Sequence, residues 1–284
     1  MGFPGAVADR EDADYAVLGA PLDVSTTFQP GARFGPERIR RFSQSYDDYD
    51  RRTDHHFSKC GVHDAGDVRA WDDATDYLDY LGGSLADLHR DDVLPLLLGG
   101  EHTVTAAGVR ATDPDTLVVL DAHLDLREAY DGNPWSHAAV VRRALDGDPA
   151  DDPLSAVDGV ADRVVLLAAR TGSKAEWERA EQDDVTVVAP EDVADWEPDL
   201  AGEDVYLSVD IDGADPSVAP GTGTMEPFGL SAREMRDVVR QVAPHAIGFD
   251  AVEVNDRDDG QAAALAGKLL KEFVFSHAAA DPDH

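Results

Sequence analysis

Lysine and cysteine are scarce in this 284-residue sequence, and it has no long apolar run. The single cysteine, Cys60, excludes a disulfide framework, and the sequence offers no partner that would activate its thiolate, so we expect inert packing. The longest apolar stretches, near Leu94–Leu98 and Val164–Ala169, are far too short to cross a bilayer. The N-terminal segment turns polar at once, unlike a secretion signal. We therefore expect a cytoplasmic protein.

Positive charge is also in short supply. The sequence has 58 acidic residues against 24 basic ones, a formal net charge of -34, and 44 of the acids are aspartate. Such a surface repels itself in dilute buffer, and concentrated salt removes most of the repulsion, because the Debye length falls to about 3 Å at 1 M. We expect a halophilic protein. The charge argues against nucleic acid and anionic membranes as partners.

Short β-rich runs alternate with helical stretches along the sequence. This order predicts a mostly parallel sheet with helices on both faces, and we expect one domain over residues 1–284. The strand candidates are Tyr15–Ala20, Gly61–Ala65, Leu94–Leu98, Thr116–Asp121, Arg163–Ala169, Val185–Ala189, Val205–Asp210 and Ile247–Val252. The helix candidates are Pro36–Gln44, Thr75–His89, His102–Ala111, Ser136–Leu145, Ser173–Gln182, Ser231–Val242 and Gly260–His277.

Polar side chains follow three of the apolar strands, where ligands bind in parallel sheets. The strand Thr116–Asp121 runs directly into a D-x-H-x-D pattern. If the backbone stays extended, Asp121, His123 and Asp125 point to one face, because strand side chains alternate. Imidazole and carboxylate together suit zinc or manganese, and further carboxylates favour the harder ion.

Two more strand ends add to this set. Asp210 and Asp212 close the apolar run Val205–Val209, where a carboxylate is costly without a partner or a metal. A glycine pair after Leu94–Leu98 allows a tight turn that puts His102 at a helix start. Spacing alone is weak, because D-x-D recurs by chance in so acidic a chain and an acid-rich surface is the alternative. Four carboxylates carry a charge that two divalent cations would neutralise. The six candidate ligands are His102, Asp121, His123, Asp125, Asp210 and Asp212.

At these positions the sequence resembles the ureohydrolase family, which includes arginases and agmatinases. The metal motifs that match are Gly99-Gly100-Glu101-His102, Asp121-Ala122-His123-Leu124-Asp125 and Ser208-Val209-Asp210-Ile211-Asp212. Further matching segments are Gly213-Ala214-Asp215-Pro216, Ala219-Pro220-Gly221-Thr222-Gly223-Thr224, Pro30-Gly31-Ala32-Arg33-Phe34-Gly35-Pro36 and Asp64-Ala65-Gly66-Asp67. The resemblance extends from about Tyr15 to Phe273.

The resemblance implies a three-layer α/β/α sandwich around an eight-stranded, mostly parallel sheet, assembled as a trimer or hexamer. It also implies two Mn²⁺ ions per chain, with Asp121 and Asp210 bridging them. The first ion would be held by His102, Asp121, Asp125 and Asp210. The second would be held by Asp121, His123, Asp210 and Asp212.

By the same resemblance, the reaction is hydrolysis of a guanidino compound to urea and an amine. Coordination to two metals makes a strong nucleophile from water near neutral pH. Asp125 is placed to relay a proton to the leaving amine. Glu253 matches the carboxylate that holds the guanidinium, and His137 matches a proton-shuttling histidine, with a solvent-facing helix start as its alternative.

The leading substrate is agmatine, which would give putrescine for polyamine biosynthesis. The loop Leu126–Trp135 resembles that of agmatinases and lacks the Ser/Asn pattern of arginases, but Arg127 leaves an arginase or a guanidino-acid ureohydrolase open. Three rival classes are a metallophosphoesterase, a single-zinc deacetylase-like hydrolase and a silent binding protein. Three departures affect the pocket loops: Met225 and Asp256 stand where the family often has proline, and Phe228 where it often has glycine.

Overall fold

The computed structural model describes residues 1–69, 73–151, 153–154 and 158–280. The strands in chain order are β1 (Tyr15–Ala20), β2 (Tyr49–Asp50), β3 (His55–His56), β4 (Val62–Asp67), β5 (Leu94–Gly99), β6 (Thr116–Leu120), β7 (Arg163–Leu167), β8 (Val185–Val188), β9 (Val205–Asp210) and β10 (Ala246–Val252). The α-helices are α1 (Gly35–Ser43), α2 (Ala74–Arg90), α3 (Thr105–Thr112), α4 (Val140–Asp146), α5 (Lys174–Ala180), α6 (Ala232–Val242) and α7 (Gln261–Ala278).

Eight of the strands form one sheet in the order β4-β1-β5-β10-β9-β6-β7-β8, and every pairing in it is parallel. The short strands β2 and β3 pair separately as an antiparallel ladder. All residues of the inner strands β1, β6 and β9 are buried, as their continuous apolar sequence predicts. The predicted α/β class and eight-stranded sheet are confirmed.

Helices cover both faces of this sheet and complete three layers. One apolar core contains buried side chains of α1, α6 and α7, and the other contains those of α2, α3 and α4. Ser173 and Ser231 begin α5 and α6 with reciprocal capping boxes, and Ser136 caps the short 3-10 turn His137–Ala139 ahead of α4.

Some predicted elements differ in their bounds from the structure. The strand predicted as Arg163–Ala169 stops at Leu167, because Ala168 turns to a left-handed backbone with φ of 75°. The helix predicted from His102 opens as a 3-10 turn, His102–Val104, before α3 starts. This turn holds His102 at the carboxyl edge of the sheet.

Contacts between α1 and β4 connect two of the sequence motifs. Nε and Nη2 of Arg40 donate to the two carboxylate oxygens of Asp64 at 2.8 and 2.9 Å, and Nη1 contacts Asp67 at 2.5 Å. Arg40 is buried on α1, so this bidentate pair joins the Pro30–Pro36 segment and its helix to the edge of the sheet.

Two expectations about membrane spans and thiol chemistry also meet the structure. Across the described ranges, no helix has both the length and the apolar character needed to cross a bilayer. Cys60 is buried, and that burial raises the pKa of its thiol to about 11. A thiol with such a pKa is inert near neutral pH.

Candidate metal centre

The six candidate ligands meet at the carboxyl ends of β5, β6 and β9. Among the described residues, two groups of three place their ligand atoms within 4.8 Å of one another, and Asp121 belongs to both. The groups are His102, Asp121 and Asp125, and Asp121, His123 and Asp212. The structure therefore brings together side chains from three separate strand ends.

His102 occupies the centre of the first group. Its Nδ1 lies 3.1 Å from Oδ2 of Asp125, 3.2 Å from Oδ2 of Asp121 and 3.3 Å from Oδ2 of Asp210. The imidazole is fully buried. Asp210 thus joins the first group through the same ring nitrogen.

His123 occupies the second group. Its Nδ1 lies 3.1 Å from Oδ2 of Asp212 and 3.5 Å from Oδ1 of Asp121. Backbone N–H groups fix the carboxylates: His123 donates to Asp121 Oδ1 at 2.7 Å, and Asp212 donates to Asp210 Oδ1 at 2.9 Å. Each N–H stands two residues beyond its acceptor, so the D-x-H and D-x-D spacings are themselves turns that aim the carboxylates.

Two of the predicted site residues adopt a left-handed backbone. Asp125 has φ of 49° and Glu253 has φ of 59°. Such conformations cost about 1–3 kcal/mol for a non-glycine residue and persist only where surrounding structure imposes them. At both positions the turn directs a carboxyl group back toward His102: Asp125 contacts Nδ1, and Oε1 of Glu253 accepts the His102 backbone N–H at 2.9 Å.

The close packing of charge in this cluster shifts its protonation equilibria. Burial by itself would lower the pKa of His123. The carboxylates of Asp212 and Asp121 raise it by more than burial lowers it, to about 12 overall. His102 shifts in the same direction, since its hydrogen bonds to Asp121 and Asp125 raise its pKa by more than burial lowers it. Burial and the charges of Asp212 and Asp121 raise the pKa of Asp210 well above its usual value.

These residues fit a binuclear metal site. Four buried carboxylates face two imidazole nitrogens at contact distances of 3.1–3.5 Å. Mixed imidazole and carboxylate donors suit divalent first-row ions. Cations placed among them would relieve the repulsion that otherwise raises the pKa of Asp210.

Glu253 and His137 form a second buried pair next to the cluster. Nδ1 of His137 lies 2.9 Å from Oε1 of Glu253, and the backbone N–H of Thr27 donates to Nε2 at 3.1 Å. Burial lowers the pKa of His137, and Glu253 raises it to about 9 overall. The Thr27 N–H opposes that rise, because a protonated Nε2 has no lone pair to accept it. His137 is buried, so the structure does not place it as a solvent-facing helix start.

A pocket of about 270 Å³ opens beside this cluster. Its lining includes four of the candidate ligands, His123, Asp125, Asp210 and Asp212, together with His137. The remaining lining residues are Thr27, Arg127, Tyr130, Ala138, Thr171, Gly172, Ser173, Glu176 and Thr224.

An ion pair within this lining was not predicted from the sequence. Nη2 of Arg127 lies 3.2 Å from Oε2 of Glu176, and the Arg127 guanidinium lies over the Tyr130 ring. Glu176 is the third residue of α5, and its Oε2 also accepts the Ser173 N–H at 2.7 Å. The S-x-x-E pattern signals a capping box, but nothing local reveals that Glu176 faces the pocket.

The departures from the family pattern lie on exposed loops. Met225 and Phe228 are exposed, and Phe228 has φ of 68°, a backbone conformation that glycine adopts without strain.

Comparisons with known proteins agree with this geometry. The model of the arginase family matches residues 13–276. This chain belongs to the arginase family. An agmatinase of Bacillus cereus is 33% identical over 279 residues, covering 93% of this chain and 92% of the relative. An N(1)-aminopropylagmatine ureohydrolase of Thermococcus kodakarensis is 34% identical over 95% of this chain and 92% of its own length.

A solved structure of an arginase-family protein shows the same architecture over the whole chain. The agmatine ureohydrolase of Thermoplasma volcanium superposes with a TM-score of 0.89 at 32% identity, covering 100% of this chain and 96% of that one. The predicted membership of the ureohydrolases is confirmed, and the protein is a ureohydrolase-type hydrolase. The arginase-family fold implies a binuclear metal site, with which the two His/Asp groups agree.

Proposed function

We propose that this protein hydrolyses agmatine to putrescine and urea at a two-manganese centre. The observation that carries the proposal is the convergence of two imidazoles and four carboxylates beside a pocket of about 270 Å³. The relatives whose names specify agmatine or an aminopropyl derivative of it support the substrate class.

The ligand set supports manganese over softer ions. Carboxylates outnumber imidazoles four to two, and no thiolate takes part, since Cys60 is buried elsewhere in the core. Oxygen-rich sites with some imidazole suit Mn²⁺. Such a metal pair lowers the pKa of water toward neutrality and stabilises negative charge that develops on the reacting atoms.

Glu253 is the residue proposed to hold the guanidinium. Its Oε1 is occupied by the His102 N–H and by His137, whereas its buried Oε2 has no hydrogen-bond partner within the described ranges. Burial raises the pKa of Glu253, but His137 and the His102 N–H lower it below the usual value. Glu253 therefore remains ionised and offers an oxygen to a planar N–H donor.

Asp125 and His137 are proposed to handle the proton. Hydrolysis breaks the bond between the guanidino carbon and the substrate amine, and the amine nitrogen must gain a proton to leave. The Asp125 carboxylate lines the pocket and can carry this proton on one oxygen. His137 also lines the pocket, with Nδ1 against Oε1 of Glu253, and we propose that it shuttles protons to and from the site.

We propose that the Arg127–Glu176 pair favours a substrate with an amine tail. Glu176 is buried and held by the Ser173 N–H, whereas the Arg127 side chain is 35% exposed. An arriving ammonium can replace the Arg127 guanidinium at Glu176, because the partly exposed Arg127 side chain has solvent on one side to turn into. A carboxylate would have to replace Glu176 at Arg127, and the capping box holds Glu176 in place.

The second candidate is a guanidino acid, for which Arg127 in the pocket lining is the supporting observation. Urea release should be measured with agmatine, arginine, guanidinobutyrate, guanidinopropionate and aminopropylagmatine, in concentrated KCl with Mn²⁺. We expect agmatine to have the highest kcat/KM. An unpaired buried charge costs several kcal/mol, so arginine should be slower by about 100-fold or more. A higher kcat/KM for arginine or a guanidino acid would overturn the agmatine assignment.

A further inference from the structure

A chain of buried hydrogen bonds runs from His102 away from the pocket. Nε2 of His102 lies 3.1 Å from Oγ of Ser208, and Ser208 Oγ donates to Oδ1 of Asp250 at 2.6 Å. All three side chains are fully buried. Neither Ser208 nor Asp250 lines the pocket, so the proposed reaction gives them no direct role.

The register of the sheet brings the members of this hydrogen-bond series together. Ser208 on β9 pairs with Asp250 on the neighbouring strand β10, so their side chains share one face. Tyr206, Ser208 and Asp210 are every second residue of β9, so their side chains point to the same face of the sheet. Ser208 is therefore the neighbour of the candidate ligand Asp210 on that face. His102 meets this face from the 3-10 turn ahead of α3.

The hydroxyl groups around Asp250 determine which atom donates in each of these hydrogen bonds. Oδ2 of Asp250 accepts the Thr105 hydroxyl at 2.8 Å, and the Tyr206 hydroxyl also bonds to Asp250. With three hydroxyl groups converging on it, Asp250 acts as an acceptor. Ser208 has one proton, and its 2.6 Å bond to Asp250 uses that proton in preference to the 3.3 Å contact with Thr105.

These hydrogen bonds determine which ring nitrogen of His102 carries a proton. Since the Ser208 proton points to Asp250, the Ser208 oxygen accepts, and Nε2 of His102 must carry the donated proton. Once a metal ion replaces the proton that Nδ1 shares with these carboxylates, Nδ1 would present its lone pair to the space among Asp121, Asp125 and Asp210. A hydrogen bond from a ligand histidine toward a carboxylate fixes the tautomer and raises the basicity of the ligand atom.

We propose that Ser208 and Asp250 are positioning residues that fix His102 as an Nδ1 ligand and so strengthen the first of the two metal sites. His123 provides the comparison within the same centre: its side chain is 28% exposed and, among the described residues, no buried carboxylate relay backs it. The two sites therefore differ in how firmly their histidine is held.

Binding of Mn²⁺ to metal-stripped protein tests the proposal, with free Mn²⁺ followed by electron paramagnetic resonance. We expect Ser208→Ala to weaken one of the two sites by about 10- to 100-fold and to leave the other within about threefold of wild type. Thr105→Ala and Tyr206→Phe are the matched controls, since each removes a hydroxyl donor to Asp250 without interrupting the path from His102. Both should retain two sites of near wild-type affinity.

Histidine ¹⁵N NMR of the Zn²⁺-loaded protein independently measures which ring nitrogen of His102 is protonated. The His102 signals are assigned by comparison with His102→Asn. We expect a protonated Nε2 in wild type and a changed Nε2 resonance in Ser208→Ala. Wild-type affinity in Ser208→Ala, equal weakening by both controls, or an unprotonated Nε2 would overturn the inference. Failure of wild-type protein to bind two ions would overturn the metal centre itself, so the two failures are distinguishable.

Discussion

Oε1 of Glu253 lies 2.9 Å from Nδ1 of His137, and the same oxygen accepts the backbone N–H of His102 at 2.9 Å. One oxygen of the carboxylate is thereby committed to the protein, and the other is left for a ligand. The Thr27 N–H holds the opposite side of the His137 ring. Glu253 is thus aimed by three separate parts of the chain.

Glu253→Gln should lower kcat/KM for agmatine by about 100-fold or more, while two metal ions per chain remain bound. The reason is that the amide keeps the shape but loses the charge opposite a buried guanidinium, a loss of about 2–5 kcal/mol. Steady-state urea release and metal analysis together measure both effects. Glu234→Gln, in the capping box of α6, is the matched control and should stay near wild type. Activity unchanged in Glu253→Gln would remove this residue from the site.

Asp121→Asn and Asp210→Asn should each reduce the bound Mn²⁺ at both sites, because each carboxylate is proposed to bridge the ions. Asp125→Asn, which alters a proposed ligand of one ion, should weaken a single site. Metal content after incubation with Mn²⁺ and gel filtration measures the difference. One tightly held zinc that persists in Asp210→Asn would contradict the two-metal proposal.

Glu176→Gln should lower kcat/KM for agmatine by about 10- to 100-fold, mostly through KM, since hydrogen bonds to charged groups contribute about 1.5–3 kcal/mol. Glutamine can still accept the Ser173 N–H, so the helix cap is retained. Arg127→Gln should leave agmatine hydrolysis intact or improve it, and should reduce any activity on guanidinobutyrate. Parallel losses for both substrates in both variants would show that the pair supports the loop and does not select the tail.

Asp64→Asn should destabilise the fold by about 3 kcal/mol at pH 7, because it leaves the buried Arg40 guanidinium poorly paired. Burial raises the pKa of Asp64, and Arg40 lowers it below the usual value overall. A lowered folded-state pKa contributes stability that is fully present above the unfolded-state pKa of about 4 and is lost as the pH falls from there through the lower folded-state pKa. Urea unfolding at several pH values should therefore show the gap between wild type and variant closing in acid.

The exposed pair of Arg10 and Asp91 is the matched control for that measurement. Asp91→Asn should change the unfolding free energy by less than about 1 kcal/mol, because both partners are solvated. An equally large effect in both variants would mean that burial of Arg40 does not matter.

Thermal stability should rise markedly between dilute buffer and molar KCl. The net charge of -34 repels itself less as the Debye length shrinks. Melting temperature followed by circular dichroism across that range measures the effect. A flat or falling melting temperature would show that the acidic surface is not an adaptation to salt. The halophilic character, the cytoplasmic location and the trimeric or hexameric assembly stay predictions.

The sequence by itself determined the order of strands and helices and the candidate ligands. Apolar runs of strand length mark the buried strands, and the polar residues that end β5, β6 and β9 must share one edge, because parallel strands present their carboxyl ends together. The D-x-H and D-x-D turns are local as well, since each carboxylate accepts an N–H two residues on.

Only the tertiary structure decided how these groups are oriented. The left-handed backbones of Asp125 and Glu253, the pairing of Arg127 with Glu176, and the contact of Thr27 with His137 depend on residues far apart in the chain. The choice of Nδ1 on His102 likewise depends on hydrogen bonds from neighbouring strands. Sequence patterns report burial and local turns, whereas these contacts arise from packing between elements, which no local pattern encodes.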